Sequence, residues 1–334
     1  MLLLDSLYIN NSGGLVLLNY LIDELEKTGV EVMYLIDNRN PTDYRHIDEA
    51  KIYRLKASIL NRNKFYNEWQ TKFSKVLCFG NIPPPFKLSV GSVHTYLHQF
   101  FYLDSSTSKK GWISSLKFWL KKKYFNTLLG NTQSFLVQSH HMAELLATRV
   151  KKNTNIEVLP FYKIDGFAES SKKKSKDFVY ISNANPHKNH QILLDAWQIV
   201  NASEPETKLH LTVSKKMYPE LSRKMDGLSS KNVINHGLIP KEEVRELLRE
   251  NKYMVYPSLA ESFGLVLIEA AEAKSVILAP DLPYVYSVIE PSITFDPCSA
   301  ESIADAMLLA LEGSYTETVL KTDNKIDQLL SLLT

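Results

Sequence analysis

Two glutamates, Glu261 and Glu269, lie eight positions apart and flank the tripeptide Ser262-Phe263-Gly264. Ionised carboxylates accept strong hydrogen bonds, and neighbouring sugar hydroxyls are suitable donors. A glycine corner that opens a helix presents backbone N–H groups and the positive end of the helix dipole to an anion, typically a phosphate. The types and spacing of these residues therefore suit a ligand that carries both a sugar and a phosphate.

The elements on either side of this segment must hold it in place. Residues 252–256 form a predicted buried strand that ends at Pro257, and an apolar run from Leu265 to residue 273 forms a predicted helix. Such a strand, loop and helix arrangement would expose the loop at the edge of a sheet. A pair of glutamates also occurs by chance in charged chains, as a helix-terminal acid and a surface acid, so the spacing alone decides little.

The longer string that starts at Pro257 and ends at Ala270 is more specific. Its pattern, P-S-x-x-E-S-F-G-L-x-x-I-E-A, closely resembles the E-x7-E signature of the retaining family 4 glycosyltransferases. These enzymes are also called glycosyltransferases group 1, and they have the GT-B fold. The resemblance extends in order along almost the whole chain.

The resemblance implies roles for the residues of this segment. Glu261 would contact hydroxyls of the donor sugar and act in catalysis, and Glu269 would bind the ribose of the nucleotide. Backbone N–H groups around the glycine would meet the phosphates, which places Ser262, Phe263, Gly264 and Leu265 in the donor site. The reaction would retain the anomeric configuration by same-face attack, with the leaving phosphate taking the proton of the acceptor.

A second segment follows the predicted strand 178–181 and contains Lys188 at a predicted helix start. A lysine there can bind a diphosphate and assist catalysis, although a solvated loop lysine would look the same. The family usually has Gly-Arg directly after this strand, and here Ser182-Asn183 replaces it. One usual cation is therefore missing, and Asn183 or Lys215 would have to compensate.

Three further positions match the family in order. Gly13 and Gly14 follow the first predicted strand and would let the backbone approach the donor phosphate, although a plain loop glycine pair is the alternative. His98 ends the fourth predicted strand and would touch the donor sugar, with His94 as the other match. The turn at Gly237 and Leu238 would contact the nucleotide base, mostly through the backbone.

No metal or other cofactor is predicted. The sequence contains no D-x-D motif, and no histidine, cysteine and aspartate cluster has the spacing of metal ligands. The positive charge near a leaving diphosphate would come from Lys188 and from helix N-termini. The donor substrate itself would be a UDP- or GDP-linked sugar.

Residues 109–125 read KKGWISSLKFWLKKKYF and predict an amphipathic helix with tryptophans on the apolar face. Tryptophan opposite lysine is typical of helices that lie at a membrane interface. The alternative is a helix packed in the core with a solvated lysine face. The residues predicted to bind the membrane are Lys109, Lys110, Trp112, Trp119, Lys121, Lys122 and Lys123.

Strand and helix signals alternate along both halves of the chain and predict an α/β fold with two doubly wound, Rossmann-like domains facing a cleft. The predicted N-terminal acceptor-binding domain covers 1–165, the nucleotide-sugar domain covers 166–315, and 316–334, largely a helix over 317–333, would cross back to the first domain. Only two cysteines occur, which fits a reducing compartment. No convincing signal peptide and no apolar run long enough to span a membrane are found.

Charge is distributed unevenly along the chain. Residues 51–152 carry 17 lysines and arginines against 3 acids. An anionic membrane is the favoured partner of this basic region, and nucleic acid is not predicted because no nucleic-acid module is found.

Together, these sequence features predict a cytoplasmic enzyme that is peripheral on the inner face of the cell membrane. It would transfer a sugar to a glycan or lipid-linked glycan in bacterial surface polysaccharide synthesis (lipopolysaccharide, O-antigen or capsule). The alternatives are a soluble glycosyltransferase acting on a protein or small molecule, and a non-catalytic protein that binds sugar nucleotides.

Overall fold

The structure is a computed structural model that describes residues 1–103, 112–163, 166, 174–228 and 232–334, with the backbone alone over 112–118. It divides into two compact units. The N-terminal unit comprises Met1–Ile164 and Asp323–Thr334, and the C-terminal unit comprises Asp165–Thr322.

The N-terminal unit contains a parallel sheet that has seven strands within the described residues. In chain order these are β1 (Leu2–Asp5), β2 (Val32–Asp37), β3 (Ile52–Leu55), β4 (Lys75–Cys78), β5 (Ser92–Leu97), β6 (Ser134–Val137) and β7 (Asn155–Val158). Their order in the sheet is β3-β2-β1-β4-β5-β6-β7. Central strands such as β1 and β2 are buried along their whole length, as expected when helices cover both faces.

Helices connect these strands. They are α1 (Ser12–Thr28), α2 (Ile59–Trp69), α3 (Trp112–Leu128) and α4 (His140–Ala147). In α1 the buried residues Leu18, Ile22 and Leu25 recur at helical spacing. This helix ends at Gly29, whose φ of 71° closes it in the left-handed region.

The C-terminal unit repeats the design with a parallel sheet of six strands within the residues that the structure describes. The strands of the whole unit, two of which lie outside this sheet, are β8 (Ser175–Tyr180), β9 (Leu209–Leu211), β10 (Val233–Asn235), β11 (Asn251–Val255), β12 (Val276–Pro280), β13 (Ile289–Glu290), β14 (Ile293–Phe295) and β15 (Val319–Leu320). The sheet order is β10-β9-β8-β11-β12-β14, and β13 pairs with β15 as a separate antiparallel ribbon.

The helices of this unit are α5 (His190–Ser203), α6 (Pro219–Gly227), α7 (Lys241–Glu250), α8 (Leu265–Glu272), α9 (Pro283–Tyr286) and α10 (Ala300–Glu312). The last helix, α11 (Ile326–Leu333), belongs to the N-terminal unit. Two parallel, doubly wound sheets confirm the predicted fold class. Strand order reverses between β1 and β4 in one unit and between β8 and β11 in the other, and such switch points are where α/β sheets bind ligands.

The predicted helix over 317–333 is wrong in its first half. Val319 and Leu320 form β15, which pairs with β13 across a long sequence separation. The helix begins only at Ile326, after Asn324, whose Oδ1 accepts a hydrogen bond of 3.2 Å from the Ile326 N–H. The non-local strand pairing outweighs the local helical pattern here.

Candidate active site

Lys188 and Glu261 meet at the switch point of the C-terminal sheet. The segment after β8 carries Lys188, and the segment after its neighbour β11 carries Glu261. The two segments are joined by the Leu259 N–H, which donates to the His187 carbonyl at 2.8 Å, and by Asn189 Nδ2, which donates to the Pro257 carbonyl at 3.2 Å. The structure therefore brings together two residues that lie far apart in the sequence, as the predicted site requires.

The two oxygens of the Glu261 carboxylate have different surroundings. Oε1 accepts hydrogen bonds from Lys188 Nζ, from Tyr256 Oη at 2.8 Å and from Ser258 Oγ at 2.6 Å. Oε2 has no hydrogen-bond partner among the described residues. One oxygen is thus saturated and fixed, and the other remains able to accept hydrogen bonds from a ligand.

The charge state of this group follows from its neighbours. Burial favours the neutral form of Glu261, but Lys188 and the Ser258 hydroxyl outweigh burial and lower the pKa of the carboxyl group below its usual value. Burial lowers the pKa of His187 to about 4 and that of His190 to about 3, and the charge on Lys188 adds to both effects. Both imidazoles are therefore neutral near pH 7 and add no positive charge beside Lys188.

Helix α8 begins at Leu265, shortly after Glu261 in the sequence. Gly264 has a φ of 89°, and a Cβ atom there would lie 3.1 Å from Leu267 Cδ1, so glycine suits both the backbone and the space. The N-cap residue of α8 is Gly264, which has no side chain to cap the helix, and the first turn holds no acid. The first N–H groups of a helix have no partner within the helix, so Leu265 begins a segment suited to phosphate oxygens. Ser262 and the buried Phe263 directly precede Gly264 in the loop before α8.

Glu269 lies within α8 and is close to the start of α7. Its Oε1 is 3.8 Å from Lys241 Nζ, and both side chains are partly exposed. The opposite ends of both helices share one lysine. Lys174 Nζ donates to the Leu248 carbonyl of α7 at 2.9 Å and to the Ala273 carbonyl after α8 at 2.6 Å. Lys174 thereby ties together the two helices that carry Lys241 and Glu269.

The other residues predicted in this unit lie around the same edge of the sheet. Gly237 follows β10 with a φ of 76°, and Asn235 Oδ1 accepts its N–H at 3.1 Å. Leu238 next to it is 84% exposed. Asn183 is exposed and accepts the Asn185 N–H at 3.3 Å. None of the hydrogen bonds described for Asn183 reaches Lys188 or Glu261.

Lys215, the other possible substitute for the missing cation, pairs instead with Asp226 at 3.0 Å on the surface. Both side chains are more than half exposed. The described contacts of Lys215 do not include the Lys188 and Glu261 pair.

In the N-terminal unit, Gly14 and His98 are in contact. A Cβ atom on Gly14 would lie 2.8 Å from His98 Cε1, so only glycine leaves room for the ring. Gly13 precedes it, exposed, at the start of α1. His98 follows β5 and is buried, while His94 lies within β5 and its Nδ1 is 2.7 Å from Ser134 Oγ. His98 therefore lies against the start of α1, whereas His94 is paired within the sheet.

The basic helix is partly described. Lys109 and Lys110 lie outside the described residues, as does the side chain of Trp112. Trp119 and Leu120 are 54% and 52% exposed, and Lys123 Nζ is 5.2 Å from the centroid of the Trp119 ring. Lys121 is exposed and Lys122 is half-buried.

The C-terminal part of α3 is anchored in the unit. Phe125 and Leu128 are buried, and Tyr102 packs against the Phe125 ring at a centroid distance of 5.0 Å. Over the side chains that the structure describes from residue 119 onward, Trp119 and Leu120 of the predicted apolar face are exposed, whereas Phe125 and Leu128 are buried. No helix within the described ranges is long and apolar enough to cross a bilayer. In the same ranges no group of three or more histidine, cysteine or acidic side chains is arranged to hold a metal ion.

Sequence reasoning missed several residues of the site. Ser258 lies inside the quoted string and Tyr256 directly precedes it, but their hydroxyl groups were not recognised as donors to Glu261. Lys241, which contacts Glu269, follows Pro240 at a predicted helix start. Asn81 bonds to His98, and its position after Gly80 at a strand end was the only available signal.

Several solved structures that are similar to this chain are glycosyltransferases or synthases of low sequence identity. Sucrose-phosphate synthase from Thermosynechococcus elongatus is 16% identical, with a TM-score of 0.70 over 94% of this chain and 90% of that one. Anabaena HepE, in complex with UDP and glucose, is 12% identical, with a TM-score of 0.66 over 99% and 94%. These structural similarities establish that this chain has the two-domain GT-B fold.

TarM from S. aureus is 18% identical, with a TM-score of 0.60 over 78% of this chain. This chain spans about half of TarM, 52% of its length. No curated protein sequence matches this chain. The model of the family described as glycosyl transferases group 1 matches residues 163–327. That part of the chain therefore matches the glycosyl transferases group 1 family, the group that the E-x7-E string resembles.

Proposed function

We propose that this protein transfers a sugar from a nucleotide-diphosphate sugar to a glycan or lipid-linked glycan acceptor. The observation that carries the proposal is the divided environment of Glu261. Its Oε1 is held by Lys188, Tyr256 and Ser258, which leaves Oε2 to accept hydrogen bonds from sugar hydroxyls. An ionised acceptor held rigidly beside a lysine and a helix start suits a sugar joined to a diphosphate.

In the proposed reaction, the bond between the anomeric carbon and the diphosphate oxygen breaks, and the acceptor oxygen bonds to the same face of the sugar. The proton of the acceptor passes to the leaving phosphate oxygen. Lys188 and the N–H groups at the start of α8 would stabilise the charge that develops on the diphosphate, without a metal ion. The anomeric configuration is then retained.

UDP is the proposed nucleotide, with GDP as the alternative. Support comes from the bound UDP in the structures of HepE and TarM, which share this fold. Glu269 would bind the ribose, and the turn at Gly237 and the exposed Leu238 would face the base. The Lys241 ammonium beside Glu269 would orient that carboxylate.

We place the enzyme at the inner face of the cell membrane, in surface polysaccharide synthesis. Trp119 and Leu120 are exposed on α3 among exposed lysines, and an anionic bilayer would cover the first two and attract the others. The excess of positive charge over residues 51–152 also suits an anionic membrane. A lipid-linked acceptor would explain why a transferase carries such a helix.

Thermal stabilisation by nucleotides tests the proposal. UDP, GDP, ADP, CMP and dTDP and their sugar conjugates are added to the wild type and to Glu269→Ala, and unfolding is followed by scanning fluorimetry. A ligand at about 100 times its Kd stabilises the native state by about 2.7 kcal/mol, which gives a shift of several degrees. We expect such a shift with one base, and a much smaller shift in Glu269→Ala.

Glu250→Ala, on the exposed end of α7, is the matched control and should keep the full shift. Absence of a shift with every nucleotide would overturn the transferase proposal. An equal shift in Glu269→Ala would overturn the ribose role of that residue alone.

A further inference from the structure

Among the described residues, the side chain that forms hydrogen bonds with His98 is that of Asn81. Asn81 Oδ1 is 2.7 Å from the backbone nitrogen of His98, and Asn81 Nδ2 is 2.9 Å from His98 Nε2. A backbone N–H can only donate, so the Asn81 atom that faces it must be the carbonyl oxygen. The other end of the amide is therefore the NH₂ group, and its orientation is not ambiguous.

This orientation determines the proton on the imidazole. The Asn81 NH₂ group donates, so His98 Nε2 must accept and cannot carry hydrogen. A neutral imidazole then carries its proton on Nδ1. The Phe79 carbonyl, 3.2 Å from Nε2, would favour the other tautomer, but it is farther away than the amide, and two N–H groups cannot point at each other at 2.9 Å.

The environment of the ring keeps it neutral. Burial lowers the pKa of His98 to about 4, and no charged side chain contributes to the shift. The ring stacks on Phe79 with a centroid distance of 4.9 Å and an interplanar angle of 21°. No hydrogen-bond partner reaches Nδ1 within the described residues, and the neighbouring Cε1 atom faces Gly14 at the start of α1.

The backbone around Asn81 positions its side chain next to His98. Gly80 passes so close to β1 that a Cβ atom there would lie 2.1 Å from the Leu7 carbonyl oxygen. Asn81 then adopts a φ of 65°, in the left-handed region that asparagine tolerates better than most residues. Its side chain is buried, so the amide has little freedom to turn away from His98.

We propose that Asn81 is a positioning residue that fixes His98 as the neutral Nδ1–H tautomer. His98 then offers a hydrogen-bond donor, beside the start of α1, to an oxygen of the bound substrate. The oxygen would be a sugar hydroxyl or a phosphate oxygen, both of which accept hydrogen bonds. The substrate part of this inference rests on the proposed function, whereas the tautomer does not.

The tautomer is measured directly by NMR of ligand-free protein labelled with ¹⁵N histidine at pH 7, with the His98 signals assigned by their loss in His98→Gln. We expect the wild type to carry hydrogen on Nδ1 and none on Nε2. Asn81→Asp keeps the shape but replaces the donor by an acceptor, so we expect a proton to appear on Nε2. Asn40→Asp changes another buried asparagine of the same unit and should leave the His98 signals unchanged.

A wild-type proton on Nε2, or an Asn81→Asp spectrum identical to the wild type, would overturn the proposal. If Asn81→Asp does not fold, Asn81→Ser serves in its place, with loss of the single Nδ1–H state as the expected result. If His98 keeps the single Nδ1–H tautomer in Asn81→Ser, that result would also contradict the positioning role of Asn81.

Turnover of UDP-glucose, used as the probe donor, tests the substrate part. We expect kcat to fall about tenfold or more in Asn81→Asp, because a misplaced proton removes the donor, while stabilisation by UDP is unchanged. Unchanged kcat with the expected switch of tautomer would overturn the role of His98 toward substrate and leave the transferase proposal intact. Loss of UDP stabilisation in the wild type would instead count against the proposed function.

Discussion

Glu261 is held in place by the same groups that leave it available to a ligand. Three donors converge on Oε1, so the side chain loses little further freedom when Oε2 accepts a hydrogen bond. Tyr256, one of these donors, is itself buried, and Tyr284 Oη donates to the Ser258 carbonyl at 2.6 Å, which supports the loop from the other side. Preorganisation of this kind reduces the entropic cost of binding.

Replacing Glu261 by glutamine should destabilise the protein in a pH-dependent way. At pH 7 the loss should be about 1–3 kcal/mol, because Lys188 remains charged without its counter-ion. The pKa of Glu261 is lowered in the folded state, so its stabilising contribution is complete above the ordinary value of 4.5 and is lost as the pH falls through the lower, folded value. The difference from wild type should therefore shrink below pH 4.5.

Urea unfolding of the wild type and Glu261→Gln between pH 3 and 8 measures this difference. Glu250→Gln, at an exposed position, is the control and should change stability by less than about 0.5 kcal/mol at every pH. A Glu261→Gln effect that is independent of pH would contradict the assigned ion pair.

Individual contacts were less predictable than the residues that make them. The E-x7-E string singled out Glu261 and Glu269, and the position of Lys188 at a helix start pointed to the same site. Local sequence could not reveal that Lys188 binds Glu261, because these residues are 73 positions apart and meet only when β8 pairs with β11. The contact of Asn81 with His98 depends likewise on neighbouring strands.

At the scale of elements, the sequence predicts a helix well where local signals are strong and poorly where they are weak. Helix α7 has such strong signals, since Pro240 precedes it and acids occupy its first turn. Helix α2 lacks a clear apolar pattern, because one of its buried residues is Arg62, which no such pattern would include. Arg62 is buried because Nε donates to Asp5 at 2.8 Å, a partner in β1 that lies 57 positions earlier.

Helix α3 makes a separate prediction. We expect the wild type to bind vesicles that contain phosphatidylglycerol, in a manner weakened by salt, and to bind phosphatidylcholine vesicles much less. The double variant Trp119→Ser/Leu120→Ser should lose about tenfold or more of this affinity, because each large apolar side chain contributes roughly 1.5–3 kcal/mol when buried.

Vesicle flotation at several salt concentrations measures this affinity. Leu309→Ser, which removes an exposed leucine from α10 in the other unit, is the matched control and should bind like the wild type. Equal binding by the double variant and the wild type would contradict the membrane role of α3 and favour a soluble transferase.

At the scale of the whole molecule, the two halves differ in charge and in what is known of them. Residues 1–167 carry 21 basic and 14 acidic groups, and the remainder carries 18 and 23. The family match covers 163–327, so the residues proposed to bind the donor in the C-terminal unit lie within a recognised domain, whereas His98 and helix α3 lie outside that match. Fold class followed from the alternation of strands and helices, but acceptor identity has no comparable signal, because unrelated functions share this fold.

Hydrolysis of the donor is the most direct test of the central claim, since water can replace an unknown acceptor. A panel of UDP- and GDP-linked α-sugars is incubated with the protein in EDTA, and ¹H NMR follows nucleotide release and the first anomer formed. We predict slow release from one donor, with the α-anomer appearing first, and loss of at least 90% of the rate in Lys188→Ala, roughly the tenfold effect of one charged hydrogen bond. No release from any donor would contradict the claim of glycosyl transfer, and a first-formed β-anomer would contradict retention.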